Sequence, residues 1–130
     1  MSGRFLLDSN IIIAHFANDP AVVARIADAD EILVPVIALG ELMFGAFKST
    51  RSDENLARIR EFRDSVAVLP VTAATADEYG RLKDELRAKG HPIPENDIWI
   101  AALARQHRLM LVSRDRGHFD VVDGLALESW

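Results

Sequence analysis

Residues 4–13, RFLLDSNIII, place one aspartate at the junction of two apolar segments. The run FLL is apolar at consecutive positions, as in a strand that is buried on both faces of a parallel sheet. Asp8 follows this run, and Ser9 and Asn10 are residue types that commonly begin a helix. The stretch therefore predicts a buried strand over 4–8 that passes directly into a helix, with Asp8 at the carboxyl end of the strand.

The same alternation of strand and helix patterns continues along the chain. Further strands are predicted at 31–36, 66–71, 109–113 and 125–128, and helices from Ser9 or Asn10 to Asn18, at 20–28, 37–47 and 55–64, from Thr72 to Lys89, and from about Asn96 to His107. Strands that alternate with helices are typical of an α/β domain with a parallel sheet and right-handed crossovers. With 130 residues and no visible repeat or linker, we expect a single domain over 1–130.

Composition narrows the possible functions. The chain has no cysteine, which excludes disulfides and thiolate metal sites. It has no apolar run of about 20 residues and no recognisable signal peptide, so we expect a cytoplasmic protein that does not enter membranes. The formal net charge of -5 makes it a poor electrostatic partner for nucleic acid unless a cation intervenes.

Four acidic residues lie where predicted strands end or helices begin. Asp8 and Asp115 follow the strands at 4–8 and 109–113, and sites in open α/β sheets form beyond the carboxyl ends of strands. Asp97 tops the helix that leads into the second of these strands, and Glu41 is the only charge inside 37–47. Each aspartate has a structural alternative as a helix cap, a first-turn acid or a turn residue. Glu41 is harder to explain without a partner.

Taken together, the four acids indicate a cation site. Clustered carboxylates repel one another unless a cation lies among them. Because the chain has no cysteine and no histidine pair at ligand spacing, an all-oxygen site suits Mg²⁺ or Mn²⁺. Such ions bind phosphates and activate water for in-line attack on a phosphodiester. They would also supply the cationic bridge that an acidic protein needs to hold RNA.

Four motifs carry a family resemblance. They are LLDSNIII at 6–13, VIALGELMFGA at 36–46, PIPENDIWIAALA at 92–104 and LVSRDRGHF at 111–119. In this combination and order the chain resembles PIN-domain ribonucleases, specifically the VapC-type toxins of toxin–antitoxin modules. The resemblance implies a parallel sheet of about five strands in the order 3-2-1-4-5. It also implies that family members dimerise and bind an antitoxin.

The resemblance assigns roles to individual residues. It makes Asp8, Glu41, Asp97 and Asp115 the metal-binding and catalytic acids, and it makes Ser9, Asn10 and Ser113 the polar residues that support them. In this interpretation Asn96 caps its helix, Asp97 faces the metal and Glu95 faces solvent. The expected protein is an Mg²⁺-dependent endoribonuclease toxin, with Mn²⁺ as a possible substitute, that hydrolyses RNA with metal-activated water.

Alternatives remain open at this point. A catalytically silent PIN scaffold could bind only RNA or protein. A receiver-like phosphoacceptor domain would need an aspartate after its third strand, where this chain has Thr72. His118 is expected to pack rather than to act, and Arg114 and Arg116 are expected to be solvated turn charges, with phosphate contact as the alternative for both.

Overall fold

A computed structural model describes residues 3–130. The strands are β1 (Arg4–Leu7), β2 (Glu31–Pro35), β3 (Ala67–Leu69), β4 (Met110–Val112) and β5 (Leu127–Glu128). The helices are α1 (Ser9–Phe16), α2 (Pro20–Asp28), α3 (Val36–Phe47), α4 (Ser52–Asp64), α5 (Ala73–Lys89), α6 (Glu95–His107) and α7 (Arg116–Phe119). The strands form one parallel sheet in the order β3-β2-β1-β4-β5, which confirms the predicted α/β fold and strand order.

The central strand β1 positions the site. It pairs with β2 on one side and with β4 on the other, so that Phe5 lies opposite both Ile32 and Met110. Leu6 and Leu7 are fully buried, which explains why the strand is apolar at consecutive positions. Because the strands are parallel, the carboxyl ends of β1 and β4 lie side by side at one edge of the sheet. The residues that follow these two strands are thereby brought together.

Helices α5 and α6 pack against each other and are joined by a partly buried ionic cluster. The side chain of Arg105 is only 13% exposed. Its Nε donates to Glu78 Oε1 at 2.7 Å, and its Nη2 donates to Glu85 Oε2 at 2.9 Å. The planar guanidinium can serve both carboxylates at once, which ties the middle of α5 to the end of α6.

Several predicted boundaries shift. Strands β3 and β5 are shorter than the predicted 66–71 and 125–128, and α4 begins at Ser52 rather than at Asn55. Helix α7 forms in a segment for which a loop was predicted. The predicted cap at Thr72 is confirmed, because its backbone N–H donates to the Thr75 hydroxyl at 3.0 Å. Within residues 3–130, no helix is both long enough and apolar enough to cross a bilayer.

The prediction that Asn96 caps α6 is wrong. The helix begins at Glu95 with Pro94 in the cap position, and the Pro94 carbonyl accepts from the Ile98 N–H at 3.1 Å. Asn96 lies in the first turn, where its amide donates to Glu41 Oε2 at 3.4 Å. Its side chain is therefore directed at another helix instead of at the backbone of its own.

Candidate metal centre

Asp8 is a buried carboxylate at the junction of β1 and α1. Its Oδ1 accepts from the Ser9 N–H at 2.8 Å, so Asp8 does cap α1 as the structural interpretation held. Its Oδ2 accepts from the Ser113 hydroxyl, also at 2.8 Å. Only 3% of Asp8 is exposed, and no basic side chain within residues 3–130 forms an ion pair with it. A cap at the protein surface would not be buried in this way, so capping does not account for the whole environment.

A hydrogen-bond network joins the loop after β4 to α1. The buried Ser113 hydroxyl donates to Asp8 and accepts from the Asn10 amide at 3.3 Å and from the Asp115 N–H at 3.0 Å. Asn10 Oδ1 in turn accepts from the Arg114 N–H at 3.1 Å. Ser113 thus uses its one donor and both lone pairs. Asn10 and Ser113, predicted as supporting residues, therefore hold the loop that carries Asp115 against Asp8.

Asp97 and Asp115 both lie close to the side chain of His118. Asp97, in the first turn of α6, is 8% exposed, and the Nδ1 atom of His118 lies 2.7 Å from its Oδ2. The same Nδ1 lies 3.7 Å from Asp115 Oδ2. One donor atom from each of these three residues falls within 4.8 Å of the other two. Packing had been expected for His118, and its place here is a feature that the sequence interpretation missed.

The position of His118 follows from a single turn of helix. His118 stands three residues after Asp115, and its N–H donates to the Asp115 carbonyl at 3.1 Å. Residues three apart on a helical turn share a face. Phe119 is 1% exposed and anchors α7 in the core. The i, i+3 spacing of an aspartate and a histidine was visible in the sequence, but its meaning depended on a helix too short to show periodicity.

Asp8, Asp97, Asp115 and His118 line a crevice beyond the ends of β1 and β4, called here the acidic crevice. Glu41 lies in the second turn of α3 and approaches this crevice. Its Oε2 accepts from Asn96, while Oε1 is buried and has no hydrogen-bond partner within residues 3–130. A buried carboxylate oxygen without a partner is costly. Together with Ser9, Glu41 lines a cavity of about 230 Å³ that also borders Arg58. This unpartnered oxygen could coordinate a cation, or accept a hydrogen bond, from outside the chain.

The electrostatics follow from burial. Removal from water raises the pKa of Asp8 from 3.8 to about 6, although the hydrogen bonds from Ser113 and Ser9 act in the opposite direction. The charges of Asp97 and Glu41 raise it further. Burial also raises the pKa of Asp97, against the lowering effect of His118. The charges that raise the pKa of Asp8 show that Asp97 and Glu41 lie near it, and Asp115 likewise lies near Asp97. A set of neighbouring carboxylates suits a divalent cation such as Mg²⁺ or Mn²⁺.

The two arginines beside Asp115 differ in their surroundings. Arg114 donates to Asp19 Oδ2 at 2.8 Å and to the Trp130 carbonyl at 3.0 Å, which is a structural tie. The side chain of Arg116 is 52% exposed and lies 3.6 Å from Asp120. Glu95 is exposed as expected, but it also pairs with Lys83 at 2.6 Å. Of these residues, Arg116 is the freer to reach a phosphate.

The fold and this acidic crevice match a known family. The PIN domain family matches residues 5–125. The chain therefore belongs to the PIN-domain family.

Relatives of one type match nearly the whole chain. The tRNA(fMet)-specific endonuclease VapC of Shigella flexneri is 35% identical over 129 residues, which cover 98% of both chains. Ribonuclease VapC2 of Haemophilus influenzae is 36% identical with the same coverage. These matches confirm the VapC-type resemblance that the four motifs predicted.

Solved structures agree. VapBC2 from Rickettsia felis, bound to a DNA fragment from its promoter, superposes with a TM-score of 0.91 at 27% identity and covers 98% of both chains. DNA-bound VapBC from Salmonella typhimurium superposes with a TM-score of 0.90 at 30% identity, covering 100% of this chain and 99% of that one.

Proposed function

We propose that this chain is a divalent-metal-dependent endoribonuclease and the toxin of a type II toxin–antitoxin module. The observation that supports this most is the gathering of buried carboxylates at the carboxyl ends of β1 and β4. Asp8 and Asp97 are both buried there, and Glu41 has a buried oxygen without a partner. A protein of net charge -5 gains little from clustering more negative charge unless it binds a cation.

Each side chain has a role in this proposal. Asp8, Glu41, Asp97 and Asp115 would hold Mg²⁺, with Mn²⁺ as the substitute ion, and would form the catalytic set. When bound, such an ion neutralises phosphate oxygens and activates a water molecule for in-line attack. The Ser9 backbone N–H and the Ser113 hydroxyl each donate to one oxygen of Asp8 at 2.8 Å and fix its orientation. The carboxylate is therefore oriented before any ligand arrives, which reduces the reorganisation that binding requires.

The substrate proposal rests on chemistry and on relatives. A site built for a hard cation suits phosphodiesters, and the names of the matched relatives describe ribonucleases, one of them specific for tRNA(fMet). We take RNA as the substrate of this chain. Arg116, largely exposed beside Asp115, is placed to contact a phosphate in the same crevice.

The partner proposal rests on exposed apolar surface. Ile13, Phe44 and Phe47 are 58%, 65% and 62% exposed, although they are large apolar residues on α1 and α3. We interpret these exposed apolar residues on two packed helices as part of a protein interface. The structures matched by the fold include VapBC complexes. We therefore assign this chain a cognate antitoxin, and we retain the homodimer and the cytoplasmic location as predictions.

A cleavage assay tests the proposed activity. Purified protein incubated with structured RNA should cleave it in Mg²⁺ or Mn²⁺ and should lose activity in EDTA. Asp8→Asn should reduce cleavage by about a hundredfold or more, since it removes a charged ligand. Asp28→Asn is the matched control, because Asp28 is an exposed acid on α2 outside the crevice, and its activity should equal that of the parent.

Two results would contradict the proposal. Cleavage that persists in EDTA, or that leaves 2′,3′-cyclic phosphate ends, would indicate a metal-free ribonuclease mechanism. Metal binding without cleavage of any RNA offered would support the alternative of a silent PIN scaffold.

A further inference from the structure

His118 places a nitrogen donor at the mouth of the acidic crevice. Its Nδ1 faces two carboxylates, Asp97 at 2.7 Å and Asp115 at 3.7 Å. Ligands of a first-row or magnesium ion lie about 2.0–2.2 Å from the metal, so the donor atoms of one ion lie about 3–4 Å apart. One donor atom from each of the three residues lies within 4.8 Å of the other two, so small side-chain movements would let one ion reach all three. In the structure the 2.7 Å contact between Nδ1 and Asp97 is a hydrogen bond, which a bound ion would replace.

The imidazole is also held in place. The turn that contains it is fixed by the hydrogen bond from its own N–H to the Asp115 carbonyl at 3.1 Å. The next residue, Phe119, is almost fully buried and secures the turn to the core. The side chain of His118 is 42% exposed, so it stands at the mouth of the crevice, where an ion or substrate would enter.

We propose that His118 is a nitrogen ligand of the metal centre and that it makes the site select Mn²⁺ over Mg²⁺. This inference rests on the proposed function, because it concerns the same site. Both ions favour oxygen ligands, but Mn²⁺ is softer than Mg²⁺ and accepts an imidazole nitrogen more readily, because Mg²⁺ is the harder ion and keeps its oxygen ligands. Replacing an oxygen of water by Nδ1 therefore strengthens Mn²⁺ binding more than Mg²⁺ binding.

A purely positioning role for His118 makes a different prediction. In that role Nδ1 would only hold Asp97 by a hydrogen bond. An asparagine at 118 can place its amide near the Nδ1 position and can still donate to Asp97, but its amide nitrogen does not coordinate metals. His118→Asn therefore separates positioning from ligation. His107→Asn is the matched control, because His107 is exposed at the far end of α6.

The experiment is pulsed electron paramagnetic resonance of bound Mn²⁺ with the metal alone as the probe. The parent protein and His107→Asn should show electron-spin-echo modulation from a directly coordinated nitrogen, and the pattern should change when histidine is labelled with ¹⁵N. His118→Asn should lose this modulation. In titrations its Mn²⁺ affinity should fall about tenfold or more, while its Mg²⁺ affinity, measured by competition, should fall by less than about threefold.

The outcomes separate this inference from the proposed function. If Mn²⁺ binds the parent without nitrogen modulation, or if His118→Asn keeps the modulation, His118 is not a ligand although the metal site stands. Equal losses of Mn²⁺ and Mg²⁺ affinity would overturn the selectivity. If the parent binds neither ion, the metal centre of the proposed function fails and the inference fails with it.

Discussion

The buried negative charge of Asp8 destabilises the folded chain, and a bound cation would relieve this cost. Its pKa is about 6 in the folded chain against 3.8 for an ordinary aspartate, mainly because it is buried. A raised pKa means that the native state holds the proton more tightly than the unfolded state does. The contribution of Asp8 to stability is therefore greatest below pH 3.8 and is lost as the pH rises through about 6. A shift of this size corresponds to a loss of about 3 kcal/mol at neutral pH.

We expect Asp8→Asn to reverse this pH dependence. Asparagine keeps an oxygen for the Ser9 N–H but cannot accept from the Ser113 hydroxyl, which costs about 1 kcal/mol. In EDTA the variant should be more stable than the parent by about 1–2 kcal/mol at pH 7, after that cost is set against the relieved charge. Near pH 4 it should be slightly less stable. The measurement is chemical denaturation of both proteins across this pH range.

The same denaturation experiment is repeated with excess Mg²⁺ in place of EDTA. Excess Mg²⁺ should stabilise the parent by mass action and should help the variant much less. Asp28→Asn, an exposed acid, should stay within about 0.5 kcal/mol of the parent throughout. Asp8 would be a structural cap only if Asp8→Asn were destabilised in EDTA at neutral pH and still cleaved RNA.

The packing of helix α5 against helix α6 is stabilised by the guanidinium of Arg105. Arg105 donates to Glu78 and Glu85 on α5, and its Nη1 also donates to the Asp123 carbonyl at 3.1 Å. Hydrogen bonds to Glu85 and Glu78 stabilise the protonated guanidinium, which raises the pKa of Arg105. A lysine has the same charge but lacks the planar fork that serves several acceptors at once.

Arg105→Lys should therefore destabilise the protein. We expect a loss of about 1–3 kcal/mol, the range for charged hydrogen bonds that are left unmade in a partly buried place. The matched control is Arg87→Lys, because Arg87 pairs with Asp84 at 2.7 Å on α5 with a side chain that is 74% exposed. That exchange should change stability by less than about 0.5 kcal/mol. Equal effects in thermal unfolding would show that burial does not set the strength of the Arg105 cluster.

Some of the strands and site residues could be predicted from the sequence, and others could not. Consecutive apolar residues in 4–8 and 109–113 correctly predict two buried strands, because strands covered on both faces of a parallel sheet are apolar at successive positions. That these strands are neighbours was predicted only by the family resemblance, and the strand order confirms it. Asn96 was misassigned because a cap preference is local, whereas its amide is directed at Glu41 across the crevice. His118 was missed for the same reason: its partner Asp97 comes from another helix.

Within residues 3–130, exposed apolar side chains of α1 and α3 lie beside the acidic crevice. Ile13, Phe44 and Phe47 are exposed on α1 and α3, and Glu41 on α3 connects this surface to the crevice. A partner that covers both regions needs apolar side chains for the first and basic side chains for the second. The net charge of -5 favours such a partner at long range.

We expect an antitoxin to protect both regions together. In hydrogen–deuterium exchange of the complex against the free chain, amides of α3 and of the loop from 113 to 118 should slow markedly. The last turn of α5, up to Lys89, should be unchanged and serves as the internal control. RNA cleavage should stop in the complex. An antitoxin that leaves α3 unprotected while cleavage continues would rule out this surface as the inhibitory interface.

The hydrogen bond between Ser113 and Asp8 spans 105 residues of sequence and bears on the timing of synthesis. A ribosome makes Asp8 and Glu41 well before it makes β4, Asp115 and His118, and it makes Asp97 only shortly before them. Because chains emerge from the N-terminus first, the nascent protein carries an unfinished crevice until residues 110–118 are free to pair with β1. We expect a chain halted before β4 to be harmless to RNA. If the proposed antitoxin is already present, it would have that interval to meet the nascent chain before the crevice is complete.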